Sequence, residues 1–244
     1  MRSPREAAQR CGSALPLINQ PPVSISDELL YWSVYHQDLS PTRKAALILG
    51  SITLFEGFFV VSLAFPDPRS YFVWLGFLPG RHTPSPLGYP AGLIVAGLFI
   101  AVSAYRLPSV RANLIRPSWL KLLAVGVAIF AGILEEIAFR PLLMNALQHR
   151  GTGPFLQVLA SAIAFGVVHG IWAIFGGHLR AGIGAVAATS LLGAGLAIVF
   201  LIAGRSVAPC IVAHFLLDLF VEPGLVLAAV RGEMSLPSPH ESLP

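Results

Sequence analysis

Charge is scarce in this chain: 11% of its 244 residues are Asp, Glu, Lys or Arg, against about 25% in an ordinary soluble domain. That scarcity excludes a soluble fold, which needs a far more polar surface. Cysteine is nearly absent. Cys11 lies in the polar N-terminal stretch and Cys210 in an apolar run, so no disulfide framework is implied. A clustered basic face is missing as well. The formal net charge of +4 comes from Lys and Arg placed singly or in pairs between apolar blocks, which argues against nucleic acid as a partner. The first 40 or so residues are polar and lack the apolar core of a cleavable signal peptide, so membrane entry is expected to use the first span.

What fills the chain instead is apolar sequence, 55% of residues with a mean hydropathy of +0.72, gathered into blocks of about 20 residues that suit bilayer crossing. The pattern predicts an all-α, polytopic transmembrane helix bundle of about six spans: 45–65, 89–105, 119–148, 155–175, 181–203 and 207–230. YFVWLGFL, between the first two, is too short to cross, since eight helical residues cover about 12 Å; it reads as an interfacial or re-entrant piece. The expected organisation is a polar cytoplasmic tail over 1–43, with a short helix in SISDELLYWSVYH, then two spans and their loops over 44–118. A motif-bearing bundle over 119–230 and a tail over 231–244 follow. No long-period repeat stands out, and the GAVAATSLLGAGLAIV run suggests close small-residue helix packing. With the N-terminus inside, cytoplasmic segments hold eleven Lys or Arg (residues 2, 5, 10, 43, 44, 106, 111, 116, 121, 180 and 231) and outer ones four (69, 81, 150 and 205). This places both termini in the cytoplasm.

Against this background the stretch ILEEIAFRP, Ile133 to Pro141, is out of place: two glutamates and an arginine lie deep within an apolar run. Ionisable groups at membrane depth cost about 2.5 to 3.5 kcal/mol each on insertion scales, which makes them functional candidates. At 100° per residue Glu136 and Arg140 are about 40° apart on the helix and Glu135 and Arg140 about 140°. Arg140 is therefore expected to pair with Glu136, leaving Glu135 for another neighbour. Pro141 removes the bond to the Ile137 carbonyl and predicts a local distortion.

Two later spans carry polar groups as well. His169 ends FGVVH between Gly166 and Gly170, which let another backbone come close, and His214 and Asp218 in HFLLD are four apart on one face. If the three spans adjoin, two carboxylates and two imidazoles converge. Such a set can activate water with a buried glutamate as base and a histidine orienting the water, while His214 and Asp218 stabilise the oxyanion. Alternatively, Glu135, His169, His214 and Asp218 could ligate a divalent metal such as Zn. The residues leave both routes open.

These pieces resemble the CPBP family, the CAAX proteases and bacteriocin-processing enzymes also called the Abi family: EEIAFR matches EExxxR, FGVVH matches FxxxH, and HFLLD matches HxxxN or HxxxD. The resemblance covers about residues 120–222. It implies an intramembrane endopeptidase of all-helical fold in which Glu135 and His169 activate water, Glu136 and Arg140 support them, and His214 with Asp218 completes the site. It further implies a bacterial inner-membrane enzyme acting on a lipidated or membrane-associated protein or peptide, with membrane lipid around it. Asp218 stands where many members have Asn. A carboxylate donates no hydrogen bond to an oxyanion unless protonated, so a ligand or His-orienting role suits it better.

Other polar residues read as structural. Glu56, inside the first span, is expected to be a hydrogen-bonded structural group rather than part of a substrate path; Asn145 and Gln148 are expected to mark a helix end, with His149 and His178 solvated. Two rival functions share the constellation. A proton- or ion-coupled transporter also uses buried acids and histidines, though it predicts related halves that the spans do not display. A non-catalytic scaffold or immunity protein would keep the same residues for packing.

Overall fold

The computed structural model describes residues 39–171 and 179–234. The helix expected over residues 24–36, Cys11, His178 and most of the C-terminal tail lie outside the described residues. What is described is helix and connecting turn, with no strand. The helices are α1 (Pro41–Ala64), α2 (Pro68–Leu75), α3 (Gly88–Arg106), α4 (Pro108–Asn113), α5 (Trp119–Ile137), α6 (Asn145–His149), α7 (Pro154–Val168), α8 (Leu179–Ile202) and α9 (Ala208–Val230). A π-helical segment, Ala138–Met144, joins α5 to α6, and a 3₁₀ turn, His169–Ile171, follows α7.

Six helical stretches are long and apolar enough to cross a membrane: Pro41–Ala64, Gly88–Arg106, Trp119–His149, Pro154–Ile171, Gly182–Ile202 and Ala208–Val230. The expected count of six is met, and two boundaries move. The first span begins at Pro41 rather than Ala45, because Ser40 caps it by accepting from the Arg43 amide at 3.4 Å and proline suits the first turn. In the fourth, regular helix stops at Val168, and residues 172–175 of the expected span lie outside the described residues. The short YFVWLGFL piece contributes its first five residues, Tyr71 to Leu75, to the eight-residue α2, capped by Asp67, whose carboxyl the Ser70 hydrogen bond holds below its usual range. Gly76 ends α2 at φ 87, a left-handed conformation that glycine adopts without a Cβ penalty.

α5 is the axis of the arrangement, packed by α1 on one side and α9 on another, while α9 also meets α3 and α4, and α7 packs along α8. Large apolar residues such as Leu47, Leu54 and Phe58 on α1 and Leu93, Ile94 and Leu98 on α3 are exposed, as expected of helices that face lipid. Charged and polar side chains are buried instead, Glu136 and Arg140 completely, so the polarity is turned inward.

The approach of α7 to α8 depends on Gly166. A Cβ there would lie 2.7 Å from the Val186 carbonyl oxygen and collide with the Ser190 side chain. Gly166→Ala is therefore expected to destabilise the protein by about 1 to 3 kcal/mol, the usual penalty for overpacking. Gly184→Ala, on the same α8 helix with nothing near its added methyl, should leave the protein equally stable or raise it by up to about 1 kcal/mol. Thermal unfolding of the two variants in detergent checks the contrast.

Candidate active site

The centre of the site is the Glu136 carboxylate. Arg140 Nε donates to Glu136 Oε2 at 2.8 Å and Nη2 donates to Oε1 at 3.3 Å, which is the one-turn pairing that spacing predicts. Pro141 falls inside the π-helical segment: lacking an N–H, it cannot continue the α-helical ladder, and the widened turn accommodates it. The third guanidinium nitrogen, Nη1, donates to Ser161 Oγ at 2.5 Å, and that hydroxyl donates to the Phe139 carbonyl at 3.1 Å. A buried ion pair is tolerated when its remaining donors and acceptors are satisfied, and Ser161 supplies that here. Ser161 was missed in the sequence, yet it precedes Phe165 by one turn and His169 by two on the inward face of α7.

Glu136 has a second partner. Its Oε1 is 2.9 Å from His214 Nδ1, so one buried carboxylate joins α5 to α9. The orienting group for His214 is therefore Glu136, whereas Asp218, four residues on, stands 3.6 Å away at Nε2, beyond hydrogen-bond length. With Nδ1–H donated to the carboxylate, His214 turns Nε2 toward Glu135. His169 is held in the same way: its Nδ1 is 2.8 Å from the Phe165 carbonyl oxygen, to which it can only donate, leaving Nε2 to face the site.

Glu135, on the neighbouring face of α5, is not spent on the arginine. Its Oε2 is 3.6 Å from His169 Nε2 and 3.9 Å from His214 Nε2, and this buried oxygen has no hydrogen-bond partner among the described residues. Phe165 holds the two imidazoles around it. The ring stacks on His169 at 4.5 Å between centroids, meets His214 edge-on at 5.8 Å, and has the Arg140 guanidinium over it at 5.3 Å. The structure thus brings Glu135, Glu136, Arg140, His169, His214 and Asp218 together from α5 and the π-helical segment after it, the 3₁₀ turn after α7, and α9.

A cavity of about 360 Å³ opens beside this cluster, lined by Glu135, His169, His214 and Asp218. Two further carboxylates line it, and both correct the reading of the sequence. Glu56, expected to be a hydrogen-bonded structural group, has a buried Oε2 with no partner among the described residues and faces the cavity from α1. Glu222 joins from α9, one turn beyond Asp218. The signal for Glu222 was the repeat of a polar residue every four positions, at 214, 218 and 222. For Glu56 only its depth in an apolar span pointed inward.

Among the described residues no group of three or more His, Cys, Asp or Glu side chains is placed to hold a metal ion. Asn145 does not mark the end of its span. Its Oδ1 accepts from Arg205 Nη1 at 2.6 Å, while Arg205 Nη2 donates to Gln157 Oε1 at 2.5 Å, tying the loop before α9 to α6 and α7. Partial burial pulls the Arg205 guanidinium below its usual value. His149 is exposed at the end of α6, as expected.

Residues 117–220 match the family model of type II CAAX prenyl endopeptidases, Rce1-like. The match is consistent with the CPBP resemblance and covers the segment that carries all three motifs. It supports a CAAX-type intramembrane protease in general terms. No curated protein and no solved structure matches the chain.

Proposed function

We propose that the protein is an intramembrane endopeptidase that hydrolyses a peptide bond of a membrane-associated or lipidated substrate with a water activated by Glu135. The observation that carries this reading is the geometry around Glu135 Oε2, 3.6 and 3.9 Å from the two imidazole Nε2 atoms. These separations exceed a direct hydrogen bond and suit one bridging water.

In this mechanism Glu135 Oε2 takes a proton from the water as its oxygen attacks the carbonyl carbon. His169, its Nδ1–H fixed on the Phe165 carbonyl, presents the Nε2 lone pair to the second hydrogen of the water and sets its direction. The carbonyl oxygen becomes an oxyanion, and the imidazolium form of His214, held by Glu136, donates its Nε2–H to it. As the tetrahedral intermediate collapses, the carbon–nitrogen bond breaks and Glu135 returns the proton to the leaving amine. Glu136 and Arg140 touch neither water nor substrate. They are positioning residues.

The depth of the site implies a substrate that enters laterally between helices, and the Lys and Arg distribution supports an orientation with both termini in the cytoplasm. The test is turnover of a panel of quenched, membrane-anchored peptides by purified protein in detergent, with and without chelator. Cleavage by the wild type, lost in folded His169→Ala and insensitive to chelation, is the expected result. Equal cleavage by His169→Ala, or none by the wild type, would overturn the assignment.

A further inference from the structure

We propose that Arg205 is a positioning residue for the hydrolysis, a second arginine clamp that fixes His169 and His214 around the Glu135 carboxylate without touching the site. The inference rests on the protease reading above and adds a residue to it. Neither Arg205 nor its partners Asn145 and Gln157 line the cavity beside Glu135.

The backbone gives the first sign. Among the described residues Arg205 is the one non-glycine with a positive φ, at 65, and it directly follows Gly204 at 67. A residue with a Cβ is strained in this left-handed conformation, whereas glycine adopts it freely. Arginine is kept here against the preference of the backbone, and outliers of this kind persist where the side chain has a duty. The amide of Arg205 donates to the Phe200 carbonyl at 2.9 Å, closing the end of α8, while Nη1 donates to Asn145 Oδ1 at 2.6 Å and Nη2 to Gln157 Oε1 at 2.5 Å. Gln157 is buried, and its Nε2 donates in turn to the Thr152 carbonyl at 2.6 Å, so its amide is held from both ends. Both acceptors of Arg205 are neutral amides. The guanidinium therefore supplies direction, two bonds from one rigid fork, rather than charge neutralisation.

These bonds matter because the two imidazoles come from helices that do not pack along each other. α7 lies along α8, and α9 lies chiefly along α5, α3 and α4, so the separation of His169 from His214 depends on what links those pairs. Arg205 is such a link: it stands three residues before Ala208, where α9 begins, and grips Gln157 near the start of α7. On α7 and the turn after it, Gln157, Ser161, Phe165 and His169 follow at intervals of four and share one face. Arg140 grips Ser161, and Arg205 grips Gln157 about 6 Å farther along the axis. A single tie leaves a helix free to pivot; two ties fix both its slide and its rotation. The π-helical segment is held in the same way, since Arg140 lies inside it and Asn145 follows its last residue. Arg205 thus joins at one point the stretches that lead to His169, Arg140 and His214.

The experiment uses full-length protein in nanodiscs and three variants, Arg205→Gly, Arg205→Lys and Gln157→Met. The first relieves the backbone strain and removes the fork, the second keeps the charge and the strain, and the third removes an acceptor from the opposite side. Each is measured for thermal unfolding, for kcat and KM on a quenched, membrane-anchored peptide, and by nitrogen NMR of the histidine rings, with His169 and His214 assigned from their alanine variants. All three are expected to lower kcat by about tenfold or more, the scale on which small displacements of reacting groups act, with KM changed by less than about twofold. The signals of His169 and His214 should shift in each. Arg205→Gly is expected to unfold at a higher temperature than Arg205→Lys and yet to lose as much kcat. A kcat that instead follows unfolding temperature across the series would make Arg205 a fold-stabilising residue and overturn the proposal. Wild-type kcat in Arg205→Gly, full rescue by Arg205→Lys, or unfolding of all three variants would also overturn it, and so would histidine signals that stay in place, whatever the rate. The two readings fail separately: a wild type that cleaves no peptide defeats the protease reading, and the histidine signals of Arg205→Gly then decide the clamp by whether they move.

Discussion

Glu135→Gln is expected to lower peptide cleavage by about 10²- to 10⁴-fold, the contribution of a positioned general base, while leaving the protein folded. The second half of that expectation makes the prediction sharp. Glu135 Oε2 makes no hydrogen bond among the described residues, and the side chain is about one-fifth exposed, so an isosteric amide breaks no hydrogen bond there and gives up only the longer ion-pair contacts to the two imidazoles. It also removes one acid from a cavity crowded with them. Thermal unfolding should therefore be unchanged or slightly raised, with a stability change within about 1 kcal/mol. Activity that falls together with stability would point to a packing role; activity that persists in a stable Glu135→Gln protein would remove the base from the mechanism. A transporter relay gives a different signature, since the substitution would then stop proton or ion flux in vesicles with no peptide cleaved by the wild type.

Phe165→Ala provides a second-line check on the same geometry. The ring is fully buried and touches both imidazoles and the arginine; truncating a buried phenylalanine costs about 3 to 5 kcal/mol. Phe165→Leu, which keeps most of the volume, should retain the fold while lowering turnover, because the stacked surface that sets the His169 ring plane is gone. The ratio of turnover to unfolding temperature across the two variants distinguishes imidazole placement from bulk packing.

The parts of this site that could be read in the sequence are those set within one helix. The pairing of Glu136 with Arg140 follows from their angular separation, and the shared face of His214 and Asp218 from a spacing of four. What a single helix does not contain is which of its faces meets a neighbour. The bond from His214 to Glu136 spans 78 positions in sequence and depends on α9 packing against α5 at one rotation. The same limit hid Glu56: an isolated acid on α1 reaches the cavity only because α1 also lies along α5. Pro141 announced a distortion, but its π-helical form depends on how the surrounding helices take up the extra residue in the turn. Six spans were countable because bilayer thickness fixes helix length independently of packing.

Arg140→Ala is expected to destabilise the protein by about 3 to 5 kcal/mol, because it leaves Glu136 buried and charged without its cation. The loss spreads through three helices. Glu136 would keep only the His214 bond, Ser161 would lose the donor to its hydroxyl, and the guanidinium packing on Phe165 would go. Arg140→Lys should not restore function, since one ammonium cannot reproduce donation to both the carboxylate and Ser161 Oγ. The paired replacement Glu136→Leu with Arg140→Met removes both charges and keeps apolar volume, so it should regain most of the lost stability, as such exchanges of buried pairs do. Catalysis should nevertheless stay absent, because the leucine cannot hold His214 Nδ1. Unfolding in detergent and peptide cleavage, measured on the three variants, separate the two duties of Glu136. If the double variant is stable and still cleaves, the His214 bond is dispensable and the ion pair serves packing alone; if it is stable and inactive, the buried glutamate is retained in the membrane for the histidine that it aims.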